Sequence, residues 1–313
     1  LGGLASGASG VQIGLSANDR FVSKPEAVVG AEYLSAGFGS ETTVDVIAKN
    51  GYEDEVVDAA KSVTGVKDAV VATLPITNEV LKGDEYTKLT VTLEAESLSE
   101  EAFTVIRDLR SEFATMPDAG ALVGGQEAQQ LDVKDSYQRD QSLIIPLILA
   151  LVFIVLLLLL RSLVAPVLLL LTVVGSFFAS LGAGWLIFVN VLGYSALDLS
   201  VYLFSFLFLV ALGVDYNIFL VTRAKEEAEK VGTRQGMIKA LSATGGVITS
   251  AGILLAAVFA VLGVLPLVAL AQIGVIVCIG VLLDTLLVRT VIVPALAFMT
   301  GKKFWWPVKK IDA

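Results

Sequence analysis

The stretch LSVYLFSFLFLVALGVDYNIFLV, residues 199–221, decides how this chain is read. It is apolar enough to cross a bilayer, which takes about 20 such residues, and yet it carries Asp215. An ionisable side chain inside a span is costly and by default marks an ion or proton pathway. Asp215 stands seven residues before Thr222, where the apolar run stops, so about 10 Å of helix separates it from the boundary. A side chain that short cannot snorkel out. The low dielectric disfavours its ionised form, which makes it a candidate to take up and release a proton. The plainer reading is a carboxyl held permanently protonated against a neighbouring helix.

The same apolar signature recurs four more times, giving spans at about 142–161, 163–187, 199–222, 241–262 and 268–298. The last is long for one crossing, and Pro294 is expected to mark a kink or an interfacial end there. Lys and Arg fall on one side: Arg161, then Arg223, Lys225, Lys230, Arg234 and Lys239, then Lys302, Lys303, Lys309 and Lys310. The loops VNVLGYSALD and GVLPL have none. The positive side is expected to be cytoplasmic, with loop 223–240 and tail 300–313 inside and residues 1–140 outside. The charged loop 223–240 reads as a solvated surface helix joining two spans. In the tail, Trp305 and Trp306 among lysines read as an interfacial anchor.

Residues 1–140 are different in kind. They hold 11 Lys/Arg against 24 Asp/Glu, a net charge of −13, whereas residues 141–313 hold 11 against 7, a net of +4. The first part reads as an acidic, water-facing α+β domain and the second as an all-α transmembrane bundle. KPEAVVGAEYLSAG (24–37) reads as a short helix. Alternation marks strands at 41–50, 66–75 and 88–96, with a short one at 120–125. Helical spacing marks 53–63 and 99–116, the latter capped by Ser99, and 126–141 runs into the first span. The order βαββαβ is the split, ferredoxin-like arrangement, a fold that names no function by itself. Its acidic residues read as a solvated face.

Other polar residues inside the spans qualify as supporting parts. Tyr216 follows Asp215 and turns about 100° round the helix, where its hydroxyl is placed to donate to a carboxyl or relay a proton; a packing aromatic is the bland alternative. Ser242, Gly245, Gly246, Thr249 and Gly252 space small and hydroxylated residues along the fourth span, as tight helix packing requires. Thr249 lies about 12 Å from the start of that span, the depth of Asp215, so Thr249 or Ser250 is a candidate partner for it. Asp284 and Arg289 are five residues apart, a spacing that does not share one face of an α-helix. They read as a structural ion pair, with each other or with another helix, or as transport residues, with Arg289 alternatively marking the membrane boundary.

Composition excludes several classes. The chain has no histidine, which removes His-based triads and metal sites. Its one cysteine, Cys278, reads as a small buried hydrophobe. The acidic balance argues against nucleic acid as a partner. No phosphate cradle, metal spacing or nucleophile with a base is visible, so no enzyme and no cofactor is expected. The N-terminus LGGLASGASG has no basic start, and such an opening on a chain with spans reads as a piece of a longer protein.

GVDYNIFLVTRAKEE, with SATGGVITSAGI, GVLLDTLLVRTVIVPAL and FWWPVKK, resembles the MMPL family (mycobacterial membrane protein large) of the RND transporter superfamily. The resemblance covers essentially the whole chain. It implies a proton-driven exporter of lipids, glycolipids or hydrophobic compounds, built as twelve spans in two repeats, each with an extracytoplasmic porter domain. The chain then looks like the second repeat: porter domain 1–140 and membrane domain 141–313. Asp215 and Tyr216 would be one of two Asp–Tyr pairs in the proton relay, with Asp284 and Arg289 a further polar pair. No cofactor is implied beyond the proton gradient. The implied partners are a lipidic cargo, the bilayer of the bacterial inner membrane, and the missing first repeat or a second chain carrying its Asp–Tyr pair. The rival reading is a non-transporting scaffold or sterol-sensing-like protein with the same fold, in which Asp215 is structural.

Overall fold

The computed structural model describes residues 2–15, 21–23, 25–38 and 41–308; Lys24, Lys309 and Lys310, singled out in the sequence, lie outside them. The helices are α1 (Gly2–Ala5), α2 (Glu26–Phe38), α3 (Glu53–Ser62), α4 (Glu100–Ala114), α5 (Gly125–Leu160), α6 (Val164–Ile187), α7 (Leu199–Val231), α8 (Thr233–Leu262), α9 (Val268–Leu283) and α10 (Val293–Thr300). The strands are β1 (Thr42–Lys49), β2 (Val66–Val71), β3 (Tyr86–Leu93) and β4 (Leu122–Gly124). The chain divides into two compact units, one within 24–138 and one made of 139–313 with the N-terminal stretches 1–15 and 19–23.

The first unit is α+β. Its four strands form one antiparallel sheet in the order β2-β3-β1-β4, with β1 and β3 paired from Thr42↔Leu93 to Lys49↔Tyr86. Alternation does the sorting: Val44, Val46 and Ala48 of β1 and Leu89, Val91 and Leu93 of β3 are buried. Against them α4 turns Phe103, Ile106, Leu109 and Phe113, residues three or four apart along one helical stripe. Ser99 caps α4, its hydroxyl accepting from Ala102 N at 3.1 Å. β2 stops at Val71, short of the sequence expectation of Pro75, because the chain leaves the ladder for a local bridge between Thr73 and Val80.

The second unit is helical. Among the described residues five helices, α5, α6, α7, α8 and the run Val268–Trp305, are long and apolar enough to cross a membrane. This is a multi-pass membrane protein. α7 and α8 run on through the charged stretch 223–240 and are separated only by Gly232, which adopts a positive φ of 82°. The expected connecting helix is therefore the tips of two spans. Close contact needs small residues: a Cβ on Gly182 of α6 would lie 1.9 Å from Leu4 O of α1, so the N-terminal segment packs backbone to backbone there.

The last span is not uniform. Between α9 and α10, residues Asp284–Ile292 form a π-helix. Pro294, near the start of α10, offers no N–H and its ring crowds the carbonyl four residues back. A widened turn ahead of it relieves both problems. The kink expected at Pro294 is thus a change of helix gauge upstream of it. The tail also differs from expectation. Trp305 is 0% exposed and packs edge-on against Phe304 within the bundle core, while Trp306 is 57% exposed. Ser162 Oγ donates to Phe304 O at 2.8 Å and Leu163 N to Trp306 O at 2.8 Å. These bonds fold the tail onto the α5–α6 turn and aim Trp305 inward, so only Trp306 is placed to act as an anchor.

Candidate functional site

The π-helical segment builds the centre of the site. Hydrogen bonds in a π-helix run to the fifth residue, so residues 284 and 289 come into register as they do not in an α-helix. Arg289 Nη2 donates to Asp284 Oδ2 at 3.2 Å, and both side chains are buried, 1% and 6% exposed as residues. The ion pair read from the sequence is present, and the wider turn corrects only the view that this spacing shares no helical face. An ion pair stripped of water needs its remaining polar atoms satisfied. Here Asp284 Oδ1, Arg289 Nε and Arg289 Nη1 have no hydrogen-bond partner among the described residues.

α7 supplies the second wall. Gly213 brings its backbone close to the pair: a Cβ there would lie 3.5 Å from Asp284 Oδ2. Three residues on, the Tyr216 ring lies 4.7 Å from the Arg289 guanidinium carbon, a cation–π contact. Asn217 is buried at 1% exposure, with neither Oδ1 nor Nδ2 partnered among the described residues. Asp215, about 100° round the helix from Tyr216, is exposed on the uncovered face of α7. No hydrogen bond or ion pair joins Asp215 to Thr249 or Ser250. Thr249 is half-buried, Ser250 Oγ donates to its own helix at Val247 O, and Ser242 is exposed. The expected Asp215–Thr249/Ser250 contact is not formed among the described residues, because Asp215 lies on an exposed face of α7 while Val214 and Asn217 beside it are buried.

Asp215 shares its face with Phe219 and Thr222, at helical spacing. Phe219, Thr222 and Val247 help line an apolar cavity of about 640 Å³ between the ends of α5, α7 and α8. At the other end of α7, Gln272 of α9 is fully buried. Its Oε1 accepts from Asp198 N at 2.9 Å and its Nε2 donates to Ala196 O at 2.9 Å. That amide clamps the α6–α7 loop and sets where α7 begins.

The model of the MMPL family matches residues 38–312. The chain belongs to the MMPL family. The putative membrane protein ActII-3 of Streptomyces coelicolor is 47% identical over 296 residues, covering 94% of this chain and 40% of the relative. The apo-petrobactin exporter of Bacillus anthracis is 42% identical over 61% of this chain and 27% of its own length. The sulfolipid-1 exporter MmpL8 of Mycobacterium tuberculosis is 40% identical over 61% of this chain and 17% of its own. This MMPL chain spans less than half the length of these relatives.

Within the MMPL bundle, three polar residues escaped the sequence reading. Asn217 lies two residues after Asp215, Thr285 directly after Asp284, and Gln272 alone in an apolar span. Each carried the signal that was applied to Asp215, a polar side chain inside a hydrophobic run, but a neutral amide or hydroxyl raises a weaker alarm than a charge.

Proposed function

We propose that this chain is the second half of an exporter of lipids, glycolipids or other hydrophobic compounds, driven by the proton-motive force across the bacterial inner membrane. The observation that carries the reading is the buried Asp284–Arg289 pair with Tyr216 stacked on Arg289 and Asp215 next along α7. Tyr216 adjoins two groups at once: the exposed carboxyl beside it in sequence and the guanidinium on the π-helical segment after α9. A proton arriving at or leaving Asp215 changes the local charge, and the arginine behind Tyr216 answers by repacking α7 against α9. Coupling requires that Asp215 meet different partners in two states, and its uncovered face leaves room for a partner from outside this chain. That partner is the first repeat or a second chain, carrying its own Asp–Tyr pair.

The positive-inside pattern supports residues 1–140 outside and the C-terminus in the cytoplasm. The element order βαββαβ and the antiparallel order β2-β3-β1-β4 support a ferredoxin-like porter domain. Relatives named for export of a siderophore and of a sulfolipid support an amphipathic or lipidic cargo. The test is Asp215→Asn in the complete transporter, reconstituted in liposomes, with efflux of a hydrophobic fluorescent dye driven by a pH gradient. Efflux is expected to be lost while expression and folding stay intact. Retained gradient-driven efflux removes the relay.

A further inference from the structure

We propose that Asp284 and Thr285 hold one water molecule in a small cavity beside Tyr216, with Thr285 as the residue that positions it. The cavity measures about 10 Å³ and is bordered by Ser176, Gly213, Tyr216, Asp284 and Thr285 among others. That is close to the least room that accommodates a single water, which also needs two to four polar partners. Each of the two residues Asp284 and Thr285 that border it carries a buried side-chain oxygen, Oδ1 and Oγ1, with no hydrogen-bond partner among the described residues. Thr285 is 1% exposed. Orphaned polar atoms of this kind are costly in a low-dielectric interior, and one water repairs both.

The surrounding groups complete its bonding. The water donates to Asp284 Oδ1 and accepts from the Thr285 hydroxyl. Ser176 also borders the cavity, and because its Oγ commits its proton to Val173 O at 3.0 Å, its lone pairs remain free to accept. The Tyr216 hydroxyl belongs to the fourth bordering side chain with a polar atom. α8 contributes Gly252 and no ionisable residue, so the charged groups about the site are Asp284 and Arg289 of the last span. A metal cation is a poor alternative occupant, because Arg289 already places a positive charge on the same carboxylate. The position of Thr285 is fixed from behind: the backbone of Gly252 lies so close that a Cβ there would be 2.3 Å from Thr285 Oγ1.

The consequence deepens the proposed relay and rests on that reading for its meaning. The water ties Asp284 to Thr285 beside Tyr216, whose ring already contacts Arg289 of the same ion pair, so that a change of charge at Tyr216's neighbour is felt in the water's bonds. The water site itself stands on geometry alone.

Infrared difference spectroscopy of the complete transporter in lipid bilayers tests it, with water exchanged for its oxygen-18 form. The wild type is expected to show an isolated O–H stretching band that shifts with the isotope. It disappears in Thr285→Val and persists in Thr285→Ser. The Asp284 band, assigned by its loss in Asp284→Asn, is expected to move in Thr285→Val and return to the wild-type position in Thr285→Ser. If Thr285→Val does not fold, Thr285→Ala enlarges the cavity without crowding it and is read for the same displaced Asp284 band. An Asp284 band unchanged by Val or Ala, or an isotope-sensitive water band indifferent to residue 285, overturns the assignment. If Asp215→Asn abolishes dye efflux while the bands ignore Thr285, the water site falls and the relay stands. If the bands behave as expected while Asp215→Asn transports normally, the water site stands and the relay falls.

Discussion

Gly252 of α8 and Thr285 of the last span touch so closely that a Cβ on residue 252 would fall 2.3 Å from Thr285 Oγ1 and 2.7 Å from its methyl carbon. Only a residue without a side chain fits there. Gly252→Ala is therefore expected to push Thr285 or separate the helices, at about 1–3 kcal/mol of the stability of the bundle. Thermal melts in detergent micelles check it. Gly252→Ala combined with Thr285→Ala is expected to recover part of the loss, a coupling that a double-mutant cycle reads directly. Strict additivity of the two losses means that the contact does not carry the effect.

Removing one partner of a buried ion pair strands the other. Asp284→Ala leaves the Arg289 guanidinium buried with its carboxylate gone, a loss of about 3–5 kcal/mol. Replacing both with apolar residues of similar size, Asp284→Leu with Arg289→Met, is expected to be far milder for folding while still abolishing gradient-driven dye efflux. Comparing melts with efflux separates the structural part of the pair from its transport part. A double variant that transports normally removes both residues from the proposed machine.

What could be read from sequence followed from charge and period. The five spans, the strands of the first unit and the Ser99 cap were all legible, because alternation, apolar run length and capping chemistry are local properties of the chain. The Asp284–Arg289 ion pair is legible as a pair, but not the way it forms along one helix, because an i to i+5 spacing shares no face in α-helical geometry and only the π-helical turn ahead of Pro294 brings the two together. Trp305 was misread because a tryptophan among lysines looks interfacial, and only the long-range bonds from Ser162 and Leu163 turn it inward. The contact expected between Asp215 and Thr249 or Ser250 rested on equal depth alone. Depth fixes the level of a residue along a span but says nothing of which way round the helix it points.

The tail offers a separate test of those long-range bonds. Ser162 is buried, and its hydroxyl lies within reach of Phe304 O at 2.8 Å and Trp306 O at 3.1 Å. Ser162→Ala deletes the donor and leaves a buried carbonyl short of a partner, at about 1 kcal/mol. That loss is expected to loosen the segment after α10 without disturbing the bundle. Trypsin cleavage at Lys302 and Lys303 is expected to speed up several-fold, with the melt of the whole protein moving little. Unchanged cleavage means that the apolar packing of Phe304 and Trp305 is enough to hold the tail.

Acid sensitivity is expected of the first unit, and Glu53 sets its sign. Its carboxyl is pulled from an ordinary value of 4.5 to about 2, chiefly by its own backbone N–H and then by the Thr87 hydroxyl at 2.8 Å, with the Gly51 N–H at 2.7 Å and Lys82 adding to the pull. A carboxylate with a depressed folded value contributes stability that is complete above the unfolded value and fades as pH falls toward the folded one. The melting temperature of residues 24–138, a unit with its own apolar core, is therefore expected to be level above about pH 5. It then declines between 4.5 and about 2. Glu53→Gln is expected to melt lower at neutral pH and to show a shallower acid decline. Asp132 is also held below its ordinary value, by the paired bonds from Arg110 at 2.6 and 2.9 Å. That pair is largely exposed, so salt screens it, and Asp132→Asn is expected to change the acid limb less than Glu53→Gln, and less still in high salt. An acid decline that is as steep in Glu53→Gln as in the wild type would assign it to other carboxylates.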